Sequence, residues 1–403
     1  MSKKRILIIN PGPLFPKIMA SQDRIINMIK CLFKTHEVDV ITLYKTSEEK
    51  LLSEKGLTGI CNKYYLLQKP NHNFYSKKIL GLIIKLWSYI TLIPFEMVYP
   101  NWPRIKRKIR NIINNNNYDI VQIEYWYQCS IFKKIPDNIL KVIDTHDVLY
   151  EKKELEIKHK TQNQFSWYHK RSLKKYRELE LYNTGLSDVI ISISKPDQKK
   201  FNKLFPNKKH LLISTGQNIK YFSNYPINKA EKTILFYGSL GYGQNIPAFW
   251  RFWKDILPLI KEELPFVKIV ILGANPPREI RNLHNGKEII VTGYVKDVRP
   301  YIAKSTICII PLSQGSGFRG RVVEVMAMGV PVIGTHNALD SIDMKNGVHG
   351  YITDSNHKMA KLGIELLTDS KKIKEISENC RNFVADMYSV EATYGRLSDY
   401  LNK

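Results

Sequence analysis

The chain has 403 residues and a formal net charge of +25, with 62 Lys and Arg residues against 37 Asp and Glu residues. This length is sufficient for two domains with separate cores. The five cysteines are scattered and contain no Cys-x-x-Cys pair, which argues against a disulfide framework and against a zinc site. The first apolar run begins at Arg5 and leaves no room for a signal peptide, so we expect a cytoplasmic protein.

The positive charge is unevenly distributed. Residues 1–220 hold 39 of the 62 Lys and Arg residues but only 19 of the 37 Asp and Glu residues. Such an excess indicates an anionic partner or a coding bias toward lysine that needs no partner. We favour peripheral contact with an anionic membrane surface at the inner face of the membrane. We expect no nucleic-acid partner, because the basic residues do not form a known recognition module.

Apolar runs alternate with lysine-rich helical stretches along the chain. Arg5–Asn10, Val38–Leu43 and Tyr118–Glu124 are examples that predict buried strands, and Pro11–Pro16 predicts a loop after the first of them. This alternation is typical of βαβ units, so the sequence predicts an α/β fold with parallel sheets.

The most apolar stretch is Leu80–Phe95. It is shorter than the roughly 20 residues that span a bilayer, and Lys85 and Pro94 interrupt it. Basic residues flank it on both sides, at 77–78 and 104–110. The pattern fits an interfacial membrane helix and a buried helix equally well.

The segment Pro311–Thr335 carries the strongest functional signal. It follows a predicted strand at Thr306–Leu312, and the three glycines Gly315, Gly317 and Gly320 then precede a predicted helix at Arg321–Met328. A strand, a glycine turn and a helix N-terminus together form an anion site.

Charged side chains around this turn suit a nucleotide diphosphate. Arg319 and Arg321 add positive charge beside the helix N-terminus. Glu324 lies in the first helical turn, where its carboxylate can accept hydrogen bonds from ribose hydroxyls.

Two other interpretations of the turn remain open. Gly315, Gly317 and Gly320 also match the dinucleotide pattern Gly-x-Gly-x-x-Gly, and Asp340 lies about 20 residues further on, as in NAD-dependent oxidoreductases. The turn could also be purely structural, with the arginines on the surface.

The segment resembles the nucleotide-sugar site of family 4 retaining glycosyltransferases, in the bacterial branch with Gly-x-Gly-x-Arg-x-Lys-x-x-Glu. Further blocks of the chain resemble the same family in order and spacing. They are residues 141–148, 188–194, 233–248, 267–273 and 291–298.

The resemblance implies a GT-B fold, in which two Rossmann-like domains face each other across a cleft. We expect an acceptor-binding domain at residues 1–220 and a nucleotide-sugar-binding domain at residues 221–387. Residues 388–403 are expected to form a helix that crosses back to the first domain.

The resemblance also assigns site residues. The catalytic residues are expected to be His146, Arg319, Arg321 and Glu324. The donor-binding residues are expected to be Gly238, Ser239, Gly315, Ser316, Gly317, Phe318, Arg319, Arg321 and Glu324. His146 would contact the donor sugar, although a histidine that only stabilises its loop is the alternative, and Asp147 would orient His146 or cap the next helix.

The chain departs from the family at two places. Relatives carry an arginine and a lysine at the start of the donor domain, where this chain has Ser239 and Gln244, so we predict that Arg319 and Arg321 neutralise the leaving group instead. Ser316 stands where the wider family has the first of two glutamates.

These expectations define a glycosyltransferase that needs neither a metal nor a cofactor, because no suitably placed Asp-x-Asp pair is present. It would move a hexosyl or related glycosyl group from a nucleotide-diphosphate sugar to a glycan or lipid-linked acceptor, with retention, in surface polysaccharide assembly. The alternatives are a non-catalytic GT-B subunit and an NAD-dependent oxidoreductase.

Overall fold

A computed structural model describes most of the chain. The described residues are 3–69, 86, 89–94, 97, 101–160, 166–227, 231–241, 243–314 and 317–403. Gly315, Ser316 and most of the apolar stretch at 80–95 lie outside them, so the predictions for those positions stay predictions. No helix among the described residues combines the length and the apolar composition needed to cross a membrane.

The chain divides into two compact units. The first contains residues 1–214 and 394–403, and the second contains residues 215–393. The sequence had placed these boundaries at 220 and 387. The residues between the two sets of boundaries are tied together, because the Gln217 N–H donates to the Tyr388 carbonyl at 2.7 Å and the Val390 N–H donates to the Gln217 carbonyl at 3.2 Å.

The first unit alternates strands and helices. Its elements are β1 (Arg5–Asn10), α1 (Ala20–Leu32), β2 (Glu37–Tyr44), α2 (Ser47–Leu57), β3 (Lys63–Gln68), α3 (Pro103–Asn114), β4 (Ile120–Glu124), a 3₁₀ helix (Trp126–Lys134), β5 (Leu140–Asp144), α4 (Leu149–Lys160), α5 (Trp167–Thr184), β6 (Val189–Ser192), α6 (Lys195–Leu204) and β7 (Lys209–Leu212). Within the described residues, the strands form one parallel sheet in the order β3-β2-β1-β4-β5-β6-β7. The central strands are buried runs of Ile, Leu and Val, as expected for a sheet covered on both faces.

The second unit repeats this architecture. Its elements are α7 (Ile219–Ser223), β8 (Thr233–Tyr237), α8 (Asn245–Arg251), a π-helical turn (Phe252–Ile256), α9 (Leu257–Glu263), β9 (Lys268–Leu272), α10 (Arg278–Arg281), β10 (Ile289–Gly293), α11 (Arg299–Ala303), β11 (Ile307–Ile310), α12 (Gly320–Ala327), β12 (Val332–Gly334), α13 (His336–Leu339), β13 (Tyr351–Ile352), α14 (Asn356–Thr368) and α15 (Ser370–Tyr388). In the part of the unit that is described, the strands pair in parallel in the order β10-β9-β8-β11-β12-β13. A last helix, α16 (Val390–Leu401), begins in the second unit and ends in the first.

Each sheet has one point where the strand order reverses. It lies between β1 and β4 in the first unit and between β8 and β11 in the second. Loops at the carboxyl ends of such neighbouring strands diverge to opposite faces of the sheet and leave a crevice, where ligands of open α/β sheets bind. The topology therefore predicts ligand sites at the segments after β1, β4, β8 and β11.

We predict that Gly273→Ala destabilises the second unit by about 2 kcal/mol or more. A Cβ atom at Gly273 would lie 1.9 Å from the carbonyl oxygen of Gly238, which is part of the backbone and cannot rotate away. The free energy of unfolding in urea measures the effect. Gly395→Ala is the control, because Gly395 lies in a helix and a Cβ atom there would meet no atom within 4 Å. Equal stability of the Gly273→Ala variant and the parent would contradict the close approach.

Candidate active site

The predicted donor segments meet at the strand reversal of the second unit. Gly238 and Ser239 follow β8, and the residues from Gly317 to Glu324 lie in the loop after β11 and in α12. Since β8 and β11 are neighbours in the sheet, the topology places these two segments at the same edge.

Gly317 and Gly320 in the turn before α12 are subject to different structural constraints. Gly317 has a φ of 85°, a left-handed conformation that glycine adopts without strain. Gly320 opens α12, and a Cβ atom there would lie 3.0 Å from the side-chain nitrogen of Gln217. Gly317 is therefore needed for its backbone conformation, whereas a Cβ atom at Gly320 would only require the flexible end of the Gln217 side chain to move.

Two contacts anchor the residues between these glycines. The Phe318 ring packs against Tyr388 with 5.6 Å between the ring centroids. The Arg319 N–H donates to the hydroxyl of Ser341 at 3.2 Å. Arg319 is half-buried at the start of α12, and Arg321 is exposed one residue into the helix.

Glu324 has a partner that the sequence analysis missed. The Tyr237 hydroxyl donates to Glu324 Oε2 at 2.9 Å, and the Arg321 guanidinium lies 5.5 Å from the centroid of the Tyr237 ring. Burial raises the pKa of Glu324, while the hydrogen bond from Tyr237 and the charge of Arg321 act in the opposite direction. Tyr237 therefore connects Glu324 with Arg321. The sequence signal for Tyr237 was its position as the last residue of β8, directly before Gly238.

The geometry does not support the dinucleotide pattern. In that pattern the acid that binds ribose stands at the end of the strand after the glycine-rich helix. Here that strand is β12, and Thr335 follows its last residue. Asp340 comes only after α13 and is exposed.

His146 belongs to a buried polar cluster in the first unit. Its Nε2 atom lies 2.7 Å from Glu124 Oε2, and Gln122 donates to the other oxygen of Glu124 at 2.7 Å. The Arg24 guanidinium donates to Asp144 and to the carbonyl of Ser214, both at 2.6 Å. Because β4 ends at Glu124 and β5 ends at Asp144, the pairing of these strands brings the carboxylates together.

The charges of this cluster stabilise one another. Burial alone disfavours the charged form of Arg24, but Asp144, Tyr394 and Glu124 raise its pKa above the ordinary value. Burial and the neighbouring Asp144 raise the pKa of Glu124, and His146 opposes that shift. Arg24 therefore stays cationic, and the imidazole of His146 has a carboxylate partner.

The backbone at this position is also unusual. Tyr125 and His146 both have positive φ angles, 62° and 59°, which non-glycine residues adopt rarely and often at functional sites. Their rings stack with 4.1 Å between centroids. The imidazole is thus fixed by Glu124 at its edge and by Tyr125 at its face.

The expected roles of Asp147 were wrong. Asp147 pairs with Lys152 at 3.1 Å, whereas Glu124 contacts the His146 ring. The start of α4 is satisfied by Glu180 of α5, whose carboxylate accepts the N–H groups of Leu149 at 2.9 Å and Tyr150 at 2.7 Å. Long-range contacts thus supply what the sequence analysis assigned to a neighbour in the chain.

The cluster also has the residue types of a metal site. Glu124, Asp144 and His146 each offer one ligand atom, and these atoms lie within 4.8 Å of one another. However, the Arg24 guanidinium already occupies Asp144, and Glu124 accepts from Gln122 and contacts His146. A cation would have to compete with this ion pair, so the donor set fits a structural charge network better than a metal centre.

Comparison with known proteins agrees with this architecture. Residues 231–369, which contain both donor segments, match the family described as glycosyl transferases group 1. The chain is a glycosyltransferase. An uncharacterized 44.6 kDa protein in the cps region of Klebsiella pneumoniae is 20% identical over 406 residues, covering 98% of each chain.

Similar solved structures cover almost the whole chain and show that it has the GT-B fold. Sucrose-phosphate synthase from Thermosynechococcus elongatus has a TM-score of 0.64 at 15% identity and covers 99% of this chain and 98% of its own. HepE from Anabaena, in complex with UDP and glucose, has a TM-score of 0.62 at 15% identity, with 99% of each chain covered.

We predict that Glu124→Gln lowers kcat by roughly tenfold or more, because an amide replaces the carboxylate that contacts the His146 ring. The measurement is kcat for sugar transfer. The control is Asp147→Asn, which removes a carboxylate near His146 that pairs with Lys152 instead. An unchanged kcat in the Glu124→Gln variant would contradict a functional role of the pairing.

We predict that the first unit loses stability as the pH rises from about 5 to 8. Burial raises the pKa of Glu180 to about 8, even though the N–H groups of Leu149 and Tyr150 favour its charged form. The folded state therefore binds more protons than the unfolded state between the two pKa values, and its stability falls as they are released. Urea unfolding at both pH values should show a smaller loss in Glu180→Gln than in the parent.

The control for this measurement is Glu178→Gln, which changes an exposed carboxylate on the same helix. It should keep the pH dependence of the parent. The same slope in Glu180→Gln as in both other proteins would show that Glu180 ionises normally.

Proposed function

We propose that this protein transfers a sugar from a nucleotide-diphosphate sugar to a glycan or lipid-linked acceptor, with retention and without a metal, in surface polysaccharide assembly. The observation that carries the proposal is the arrangement of Arg319, Arg321 and Glu324 at the start of α12, at the strand reversal of the second sheet.

A nucleotide diphosphate matches the chemistry of this arrangement. The N–H groups at the start of α12 and the two arginines provide positive charge for the phosphates. Glu324, held by Tyr237, provides a carboxylate for the ribose hydroxyls. The solved structures of HepE are complexes with UDP and with UDP-glucose, which makes uridine diphosphate the first donor nucleotide to test.

The chemistry that we propose follows from these charges. The bond between the sugar C1 and the diphosphate oxygen breaks while Arg319 and Arg321 neutralise the leaving group. The acceptor hydroxyl attacks C1 from the same face and gives its proton to the leaving phosphate, so the configuration is retained. We assign His146 to the donor sugar, with its ring held in position by the Glu124 carboxylate.

The proposed setting rests on two observations. The relative from Klebsiella pneumoniae is described as a protein in the cps region. Residues 1–220 hold 39 of the 62 Lys and Arg residues, which suits contact with an anionic membrane surface. The acceptor would then be presented at the inner face of the membrane.

Charge reversal at the arginines tests the donor site. We expect Arg319→Glu and Arg321→Glu each to weaken UDP binding by about tenfold or more, because each removes a charge-assisted contact to phosphate. Isothermal titration calorimetry measures the dissociation constants. Arg281→Glu makes the same change at an exposed position on α10 and should bind UDP like the parent.

Glu324→Gln is expected to weaken UDP binding while leaving the affinity for inorganic pyrophosphate unchanged, because only the ribose contact is lost. Equal loss for both ligands would assign Glu324 to the phosphates or to folding.

Sugar transfer should also continue in the presence of excess EDTA. Loss of activity that Mg²⁺ or Mn²⁺ restores would overturn metal independence.

A further inference from the structure

The first unit contains a cavity of about 700 Å³ that the donor site does not use. It lies at the carboxyl ends of the central strands, between the loop after β1, the residues after β2, β3 and β4, and one face of α4. Gln22 fixes the loop after β1, because its side chain accepts the N–H groups of Ile18 and Met19 and donates to the carbonyls of Pro13 and Pro16. These hydrogen bonds hold the loop in place, so it forms a fixed wall of the cavity.

One wall of the cavity is cationic. Lys45 follows β2 and Lys69 follows β3, and these strands pair in register up to Tyr44 and Gln68. The Lys69 N–H donates to the carbonyl of Tyr44 at 2.8 Å, which keeps the two lysines on adjacent backbone segments. The strand pairing thus gathers two like charges at one edge of the sheet.

These two ammonium groups lack a close counter-ion within the part of the chain that is described. No carboxylate oxygen there lies within the 4.0 Å of an ion pair with either lysine. Burial, together with the charge of Lys45, lowers the pKa of Lys69 to about 8, against the opposing effect of Glu49. Two cations that repel each other in a concave wall are stabilised when an anion binds between them.

The cavity is also lined by aromatic and apolar side chains. Tyr125 and Tyr127 line the cavity with 5.9 Å between their ring centroids, and Tyr125 stacks on His146. Ile18 and Met19 line it as well and are 80% and 60% exposed. Such surfaces pack against the faces of sugar rings and against hydrocarbon chains.

We propose that this cavity binds the acceptor, and that the acceptor carries a phosphate or diphosphate group that Lys45 and Lys69 neutralise. The proposal rests on the proposed function, because it takes the second unit as the donor site and the first as the acceptor site. A lipid-linked sugar diphosphate and a soluble sugar phosphate share this chemistry, and the probes below separate them.

The test is calorimetric titration of the full-length protein with three probes. They are glucose 1-phosphate, farnesyl diphosphate and the uncharged methyl glucoside. We expect Lys45→Gln/Lys69→Gln to weaken binding of the phosphate probes by about tenfold or more. The control Lys55→Gln/Lys63→Gln removes the same charge from α2 and from the opposite end of β3, and should bind within about twofold of the parent.

The relative affinities identify the source of the phosphate. Farnesyl diphosphate binding at least about tenfold tighter than glucose 1-phosphate supports a lipid-linked acceptor, and the reverse order supports a soluble sugar phosphate. Equal weakening in the control variant would show a general effect of charge and overturn the proposal. Absence of phosphate binding to the parent, or equally tight binding of methyl glucoside, would overturn it as well.

UDP binding is measured on the same samples, so the two proposals fail separately. Normal UDP binding without a lysine-dependent phosphate site would remove only the anionic acceptor. A lysine-dependent phosphate site without UDP binding would remove the proposed donor site. The melting temperature of each variant confirms that it is folded before its affinity is interpreted.

Discussion

The buried ion pair between Arg24 and Asp144 is the interaction on which the site of the first unit depends. Both side chains are almost fully removed from solvent, and the guanidinium also donates to the carbonyl of Ser214. It therefore connects α1, the end of β5 and Ser214, which is the last residue of the first of the unit's two chain segments. Loss of one partner from such a pair typically costs 3–5 kcal/mol, roughly, because the other charge stays buried. Glu124 and His146 lie beside this pair: the charge of Glu124 contributes to the raised pKa of Arg24, and the His146 N–H donates to Asp144.

The second unit depends on a different constraint, which is close approach of backbone segments. The loops after β8 and β9 meet at Gly238 and Gly273, and the turn before α12 needs the conformation of Gly317. Once these segments are in place, Glu324 reaches Tyr237 and the arginines stand at the helix start. The first unit thus builds its site from buried charges, and the second builds its site from glycine-dependent loops.

Much of the fold could be predicted because apolar runs in a parallel sheet are easy to read. β1 has the predicted bounds Arg5–Asn10, and α12 covers residues 320–327 where 321–328 were expected. The site partners were harder to find. Glu124 reads as the end of an apolar strand, Tyr237 reads as one more aromatic strand residue, and Glu180 lies in a helix rich in charge. Their roles depend on strand order and on contacts between distant residues, which local patterns do not encode.

The most direct test of the central claim is a thermal-shift screen of the parent protein against nucleoside diphosphates, nucleotide sugars and NAD, in the presence of a chelator. A ligand that binds only the native state raises the melting temperature by mass action. We predict selective stabilisation by one nucleoside diphosphate and by its sugar conjugate. Stabilisation by NAD alone, or no response to any nucleotide, would contradict a nucleotide-sugar site between Gly238 and Glu324.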